Sequence, residues 1–90
     1  MDSYLYINIP IQMISCTNTD GKITPLRFRF IDKDGSLITV KVDRLVSSEQ
    51  NNNRFGASFE CTATFYGEEK HFFLYYSNFS GKWAITKIGV

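Results

Sequence analysis

Strict alternation of apolar residues, kept in step across a series of turn signals, most limits what this chain can fold into. From Leu5 to Met13 every odd position is apolar: Leu5, Ile7, Ile9, Ile11 and Met13. A period of two places one set of side chains on one face of a strand. Pro10 interrupts the even positions and cannot donate to a ladder, so this strand is expected at an edge or bulged there. The turns downstream can be tested by whether the apolar faces they imply coincide. Asp20-Gly21, read as a two-residue type I′ turn, pairs Ser15 with Leu26, Met13 with Phe28 and Ile11 with Phe30. Lys33-Asp34-Gly35, read as a three-residue loop ending in a left-handed glycine, pairs Leu26 with Val42, Phe28 with Val40 and Phe30 with Ile38. A two-residue loop at Asp34-Gly35 would set Phe28 against Thr39 instead. Gly67-Glu68 as a type II′ turn pairs Phe65 with Lys70, Ala63 with Phe72, Cys61 with Leu74 and Phe59 with Tyr76. Asn78-Phe79-Ser80-Gly81 as a four-residue loop pairs Tyr76 with Trp83 and Leu74 with Ile85. A slip of one residue would reverse a whole face, so agreement among four turns carries information.

The expected fold is all-β: one domain over residues 1–90, a six-stranded antiparallel meander. A sheet with one continuous apolar face and no helix to cover it must curl on itself. A small, partly open barrel of SH3-like size is expected, with a two-sheet β-sandwich as the alternative. Only Ser47 to Gly56, with its run Asn51-Asn52-Asn53, breaks the alternation and reads as a long polar loop. Composition agrees. Hydrophobic residues make up 43% and aromatics 16%, which excludes a disordered chain and favours strands.

Ten basic residues against nine acidic ones leave a net charge of +1. A dedicated duplex nucleic-acid binder usually has a marked basic excess, because phosphate neutralisation supplies most of its affinity. There is no polybasic run to hold the chain to an anionic membrane, and no apolar stretch approaches the ~20 residues that span one. The start, Met1-Asp2-Ser3-Tyr4, lacks the basic region of a signal peptide. With only Cys16 and Cys61, the chain reads as soluble and cytoplasmic with both thiols reduced. Asn78-Phe79-Ser80 fits a glycosylation sequon by pattern alone.

No catalytic apparatus is legible. His71 is the only histidine and points outwards, opposite Thr64 on the expected register, with no nucleophile motif to serve. Cys61 falls on the inner face, where a thiol behaves as a small hydrophobe. Cys16 lies at the end of the first strand. One histidine and two distant cysteines give no zinc spacing. Asp32-Lys33-Asp34-Gly35 resembles the start of a calcium loop, but Leu37 stands where an EF-hand needs glycine, so a turn suffices. The scattered glycines form no phosphate loop. No enzyme activity, cofactor or metal is expected.

Two outer-face features ask for a partner. Arg27 and Arg29 alternate with Phe28, and Lys41 lies across from Arg27. Like charges directly opposite destabilise a sheet unless a phosphate, an acidic partner or a neighbouring carboxylate such as Asp43 offsets them. Across the last two hairpins Phe73, Tyr75, Ala84 and Ile88, with His71 beside them, form an apolar outer patch. A strand apolar on both faces is normally covered on both. The expected function is therefore a non-catalytic protein–protein interaction module whose partner is another protein or a second copy of itself. The runner-up is a small-barrel binder of single-stranded nucleic acid, with Arg27, Arg29 and Lys41 as the positive groove and Phe73 and Tyr75 as stacking platforms. That reading requires the two strips to lie close together.

The arrangement Pro25-Leu26-Arg27-Phe28-Arg29-Phe30, Asp34-Gly35, Val42-Asp43-Arg44, Phe59-x-Cys61 and Lys82-Trp83-x-Ile85-x-Lys87-Ile88 resembles a group of short hypothetical proteins from low-GC Gram-positive bacteria. The resemblance covers about residues 24–88. It implies a bacterial, cytoplasmic source and no particular activity.

Overall fold

Six antiparallel strands follow one another round a closed barrel in the computed structural model, which describes residues 5–50 and 55–89. They are β1 (Leu5–Thr17), β2 (Ile23–Ile31), β3 (Leu37–Glu49), β4 (Gly56–Phe65), β5 (Glu68–Ser77) and β6 (Trp83–Gly89). The barrel closes, rather than remaining partly open, through a β1–β6 ladder that pairs Leu5 with Ile88 and Ile11 with Trp83.

Closure depends on two long strands that change neighbours midway. The first half of β1 pairs with β6 as far as Ile11, and the second half pairs with β2 from Gln12. Likewise β3 pairs with β2 as far as Lys41 and with β4 from Val42. The barrel therefore has a three-stranded wall centred on β2 and a broader wall centred on β5, which reconciles the barrel with the sandwich expected as its alternative. The Asn51–Asn53 run lies outside the described residues, but Ser47–Glu49 extend β3 instead of forming a loop.

Most faces expected from alternation hold, Leu26 and Ile88 excepted, while several registers differ. Met13–Phe28, Phe28–Val40, Phe30–Ile38, Tyr76–Trp83 and Leu74–Ile85 pair as the turns imply. The first turn is one residue longer than a type I′ pair, with Gly21 at φ 84° and its N–H donating to the Asn18 carbonyl at 2.9 Å. A bulge at Leu26 restores the register, so Ser15 meets Pro25 and not Leu26. Pro25 turns inward and Leu26 outward beside the bulge, a position where strands tolerate proline. The β4–β5 turn is Tyr66-Gly67, with φ of 51° and 80°, so Phe65 pairs with Glu68, not Lys70. That shift of two residues leaves every face unchanged.

The interior is filled by Phe28, Phe30, Val40, Phe59, Phe72, Leu74 and Ile85, with Ala57, Cys61 and Ala63 making room along β4. Phe28 and Phe72 meet edge to face across the barrel at 5.4 Å, and Phe65 meets Phe72 at 5.9 Å. Phe59, Trp83 and Tyr76 form a second ring cluster at 5.1 and 5.2 Å.

Tyr66 is a non-glycine residue in the left-handed region, which costs an L-residue roughly 1–2 kcal/mol. Asn-Gly is the favoured sequence for this turn. Tyr66→Asn is expected to raise the unfolding free energy by about 0.5–1 kcal/mol, read from urea denaturation, after the loss of the tyrosine's packing on Phe65. A fall in stability would mean that the Phe65–Tyr66 contact, at 4.4 Å, outweighs the backbone strain.

Candidate interaction surfaces

The broad wall carries the first surface. On β5, Phe72 and Leu74 point inward and Phe73 and Tyr75 outward, as alternation requires. Their cross-strand neighbours are Glu60 and Lys87 for Phe73, and Ser58 and Ala84 for Tyr75. Both rings are half-buried by their own sheet. Lys87 Nζ lies 4.3 Å from the Phe73 ring centroid, a cation–π contact. Tyr75 lies over Gly56, where a Cβ would fall 2.6 Å from the tyrosine hydroxyl and 2.1 Å from the Tyr76 carbonyl oxygen. Ser58, Glu60, Phe73, Tyr75 and Lys87 floor an outward-facing groove of about 650 Å³, walled on one side by Ser47, Ser48 and Glu49 of β3.

Of the expected patch, Phe73, Tyr75, Ala84 and His71 lie on this side of the sheet, but Ile88 does not. A bulge at Thr86 shifts the register, so Lys87 pairs with Phe73 and Ile88 pairs with Phe72 and packs against the core. Strict alternation through Trp83 and Ile85 would have pointed Lys87 inward. Burying an ammonium group is costly, and the extra residue avoids it. That conflict was the available signal. His71 pairs with Thr62, not Thr64, and its Nδ1 lies 2.8 Å from Glu60 Oε2. Glu60, on the outer face as alternation requires, and Glu49, in the segment expected as a loop, also line this groove.

The narrow wall carries the second surface. Arg27 pairs with Lys41, and Arg29 lies two residues along. Arg29 Nε donates to Gln12 Oε1. Among the described residues no carboxylate forms an ion pair with Arg27, Arg29 or Lys41; Asp43 instead accepts from the Thr64 hydroxyl at 3.2 Å. The strip is continuous with Gln12, Ile14 and Thr39 and contains no aromatic ring. In a ring of six strands β2 and β5 stand opposite one another, so the basic strip and the Phe73–Tyr75 groove lie on opposite walls. The structure does not bring them together.

The remaining candidates resolve locally. Asp32 Oδ1 accepts from the backbone N–H groups of Asp34 and Ser36, at 3.1 and 3.2 Å, as a turn requires. The Asp32 side chain and then Ser36 hold the Asp34 carboxyl below its ordinary pKa. Among the described residues no cluster of ligating side chains could hold a metal. Cys61 is fully buried, and desolvation, helped by the charge of Glu60, pushes its thiol up to about 12. At the opposite end of the barrel from the Tyr66 turn, Phe55 and Phe79 are 56% and 79% exposed with their rings 5.6 Å apart, a pair the sequence did not suggest. No helix among the described residues is long and apolar enough to cross a membrane.

The class these features define is a small, closed, six-stranded antiparallel barrel with two outward surfaces of different chemistry. No family model, curated protein or solved structure matches the chain.

Two outcomes follow from this geometry. Thiol titration of the native protein without reductant should label Cys16, which is exposed, and reach Cys61 only after unfolding, for a total of two thiols. Fast labelling of both would mean that Cys61 is accessible. Gly56→Ala should destabilise the barrel by about 1–3 kcal/mol in urea melts. Adding Tyr75→Ala should fail to rescue it, because the closest clash is with a backbone carbonyl.

Proposed function

We propose that this protein is a non-catalytic, cytoplasmic protein–protein interaction module that self-associates through the Phe73–Tyr75 groove. The observation that carries the reading is the pair of half-buried rings on the outer face of β5, seated in a concave, mixed-charge groove. A monomer needs no aromatic residues on the solvent side of a strand whose other face already fills the core, and rings so placed are typical anchors of protein contacts. A second copy fits the charge pattern. A two-fold contact presents the same surface to itself and must carry both signs, and Glu49 and Glu60 lie beside Lys87 at this groove.

Sedimentation of the wild type should give a dimer at micromolar concentration. Phe73→Ser with Tyr75→Ser should give a monomer whose amide spectrum retains the dispersion of a folded barrel. A wild type that remains monomeric, or a double variant that unfolds, would assign these rings to the fold and end the proposal.

A further inference from the structure

The two corners of the barrel where strands change neighbours are finished differently. Where β3 runs out beside the start of β2, the Gln50 side chain acts as a substitute strand. Ile23 N–H donates to Gln50 Oε1 at 2.8 Å, and Gln50 Nε2 donates to the Ile23 carbonyl at 2.9 Å. Among the described residues the diagonal corner, between the first half of β1 and the end of β2, has no such brace. The β1–β2 ladder stops at Gln12–Arg29. Among the described residues, Leu5, Tyr6 and Ile9–Ile11 of β1 are laddered on one side only, to β6.

At this corner lies a groove of about 490 Å³, with Ile9, Pro10 and Ile11 on one side and Phe30, Ile31 and Leu37 on the other. Ile31 and Leu37 are paired with each other and are 66% and 58% exposed. The groove runs directly into the basic strip, because Gln12 and Arg29 line both. An unladdered strand edge, apolar walls and an adjoining row of cations without carboxylate partners describe one kind of ligand.

We propose that this corner binds an extended acidic peptide of a partner protein, added along β1. Its alternate apolar side chains would lie against Ile31 and Leu37, and its carboxylates would reach Arg29, Arg27 and Lys41. Strand addition takes affinity from main-chain hydrogen bonds and specificity from alternate side chains. The guanidinium of Arg29 gives one N–H to Gln12 and has others for a carboxylate. A peptide fits better than nucleic acid because the strip offers no ring on which a base could stack, and Phe30 at the groove is buried in the core. The site is on the wall opposite Phe73 and stands or falls separately from self-association.

The test is an amide-shift titration of the full chain with a pool of capped peptides of about seven residues, alternating Glu or Asp with Ile, Val or Leu, long enough to follow half of β1. Saturable shifts at Ile9, Ile11, Ile31 and Leu37 together with Arg27 and Arg29 are expected. Arg27→Glu with Arg29→Glu, and separately Leu37→Asp, should each weaken binding about ten-fold or more, the loss of roughly one good charge-assisted or apolar contact. All three side chains are exposed, so these variants should retain the wild-type dispersion. A pool with Lys in place of the acids should not bind. Absence of saturation to millimolar peptide would overturn the proposal. So would shifts confined to the arginines, or stronger shifts of the same residues by oligo(dT) of equal charge.

Discussion

The contact of Phe28 with Phe72 across the interior is the constraint on which the other features rest. One ring comes from the middle of β2 and the other from the middle of β5, on opposite walls, and they meet at 5.4 Å. A six-stranded barrel is narrow enough for side chains from opposite walls to touch, so its stability depends on every strand presenting its apolar set at the same height. Ala57, Cys61 and Ala63 on β4 are small because the large rings of β2 and β5 occupy that space. The apolar surroundings that bury Cys61 also keep its thiol protonated.

Bulges maintain this alignment. Perfect alternation from Val42 would point Arg44 into the core, and from Ile85 it would point Lys87 inward. The register irregularity before Arg44 and the extra residue at Thr86 return both charges to the outside and let Leu45 and Ile88 pack against the core. The bulge at Leu26 instead exchanges Leu26 for Pro25 on the inner side. Each irregularity also bends its strand, and the one before Arg44 falls where β3 passes from β2 to β4. The surfaces are consequences. The Thr86 bulge places the Lys87 ammonium over Phe73, and the change of partner within β1 leaves one corner unbraced.

Alternation and turn chemistry made most of the fold legible. Ile9, Ile11 and Met13 of β1, the inner rings of β2 and β5 and the loop at Lys33–Gly35 could all be read because each depends on neighbours only a few positions away. The Tyr66-Gly67 turn was misplaced because a tyrosine with positive φ is not what local preference suggests. Phe73, Tyr75, Arg27, Arg29 and Lys41 were placed on the correct outer faces by the same alternation. Ile88 was not, because a single extra residue reverses the face of everything beyond it.

The sequence by itself determined which residues are inner and which are outer along most strands, and hence that the chain forms an all-β meander with aromatic and basic outer strips. Period-two patterning is a local property, and local properties survive in one dimension. Tertiary structure alone decided that the strips face away from each other, that β1 joins β6, and that Gln50 braces one corner while its counterpart stays open. Each of these depends on how many strands close the ring and where two of them bend. Those quantities follow from packing the whole interior at once, and no single segment carries them.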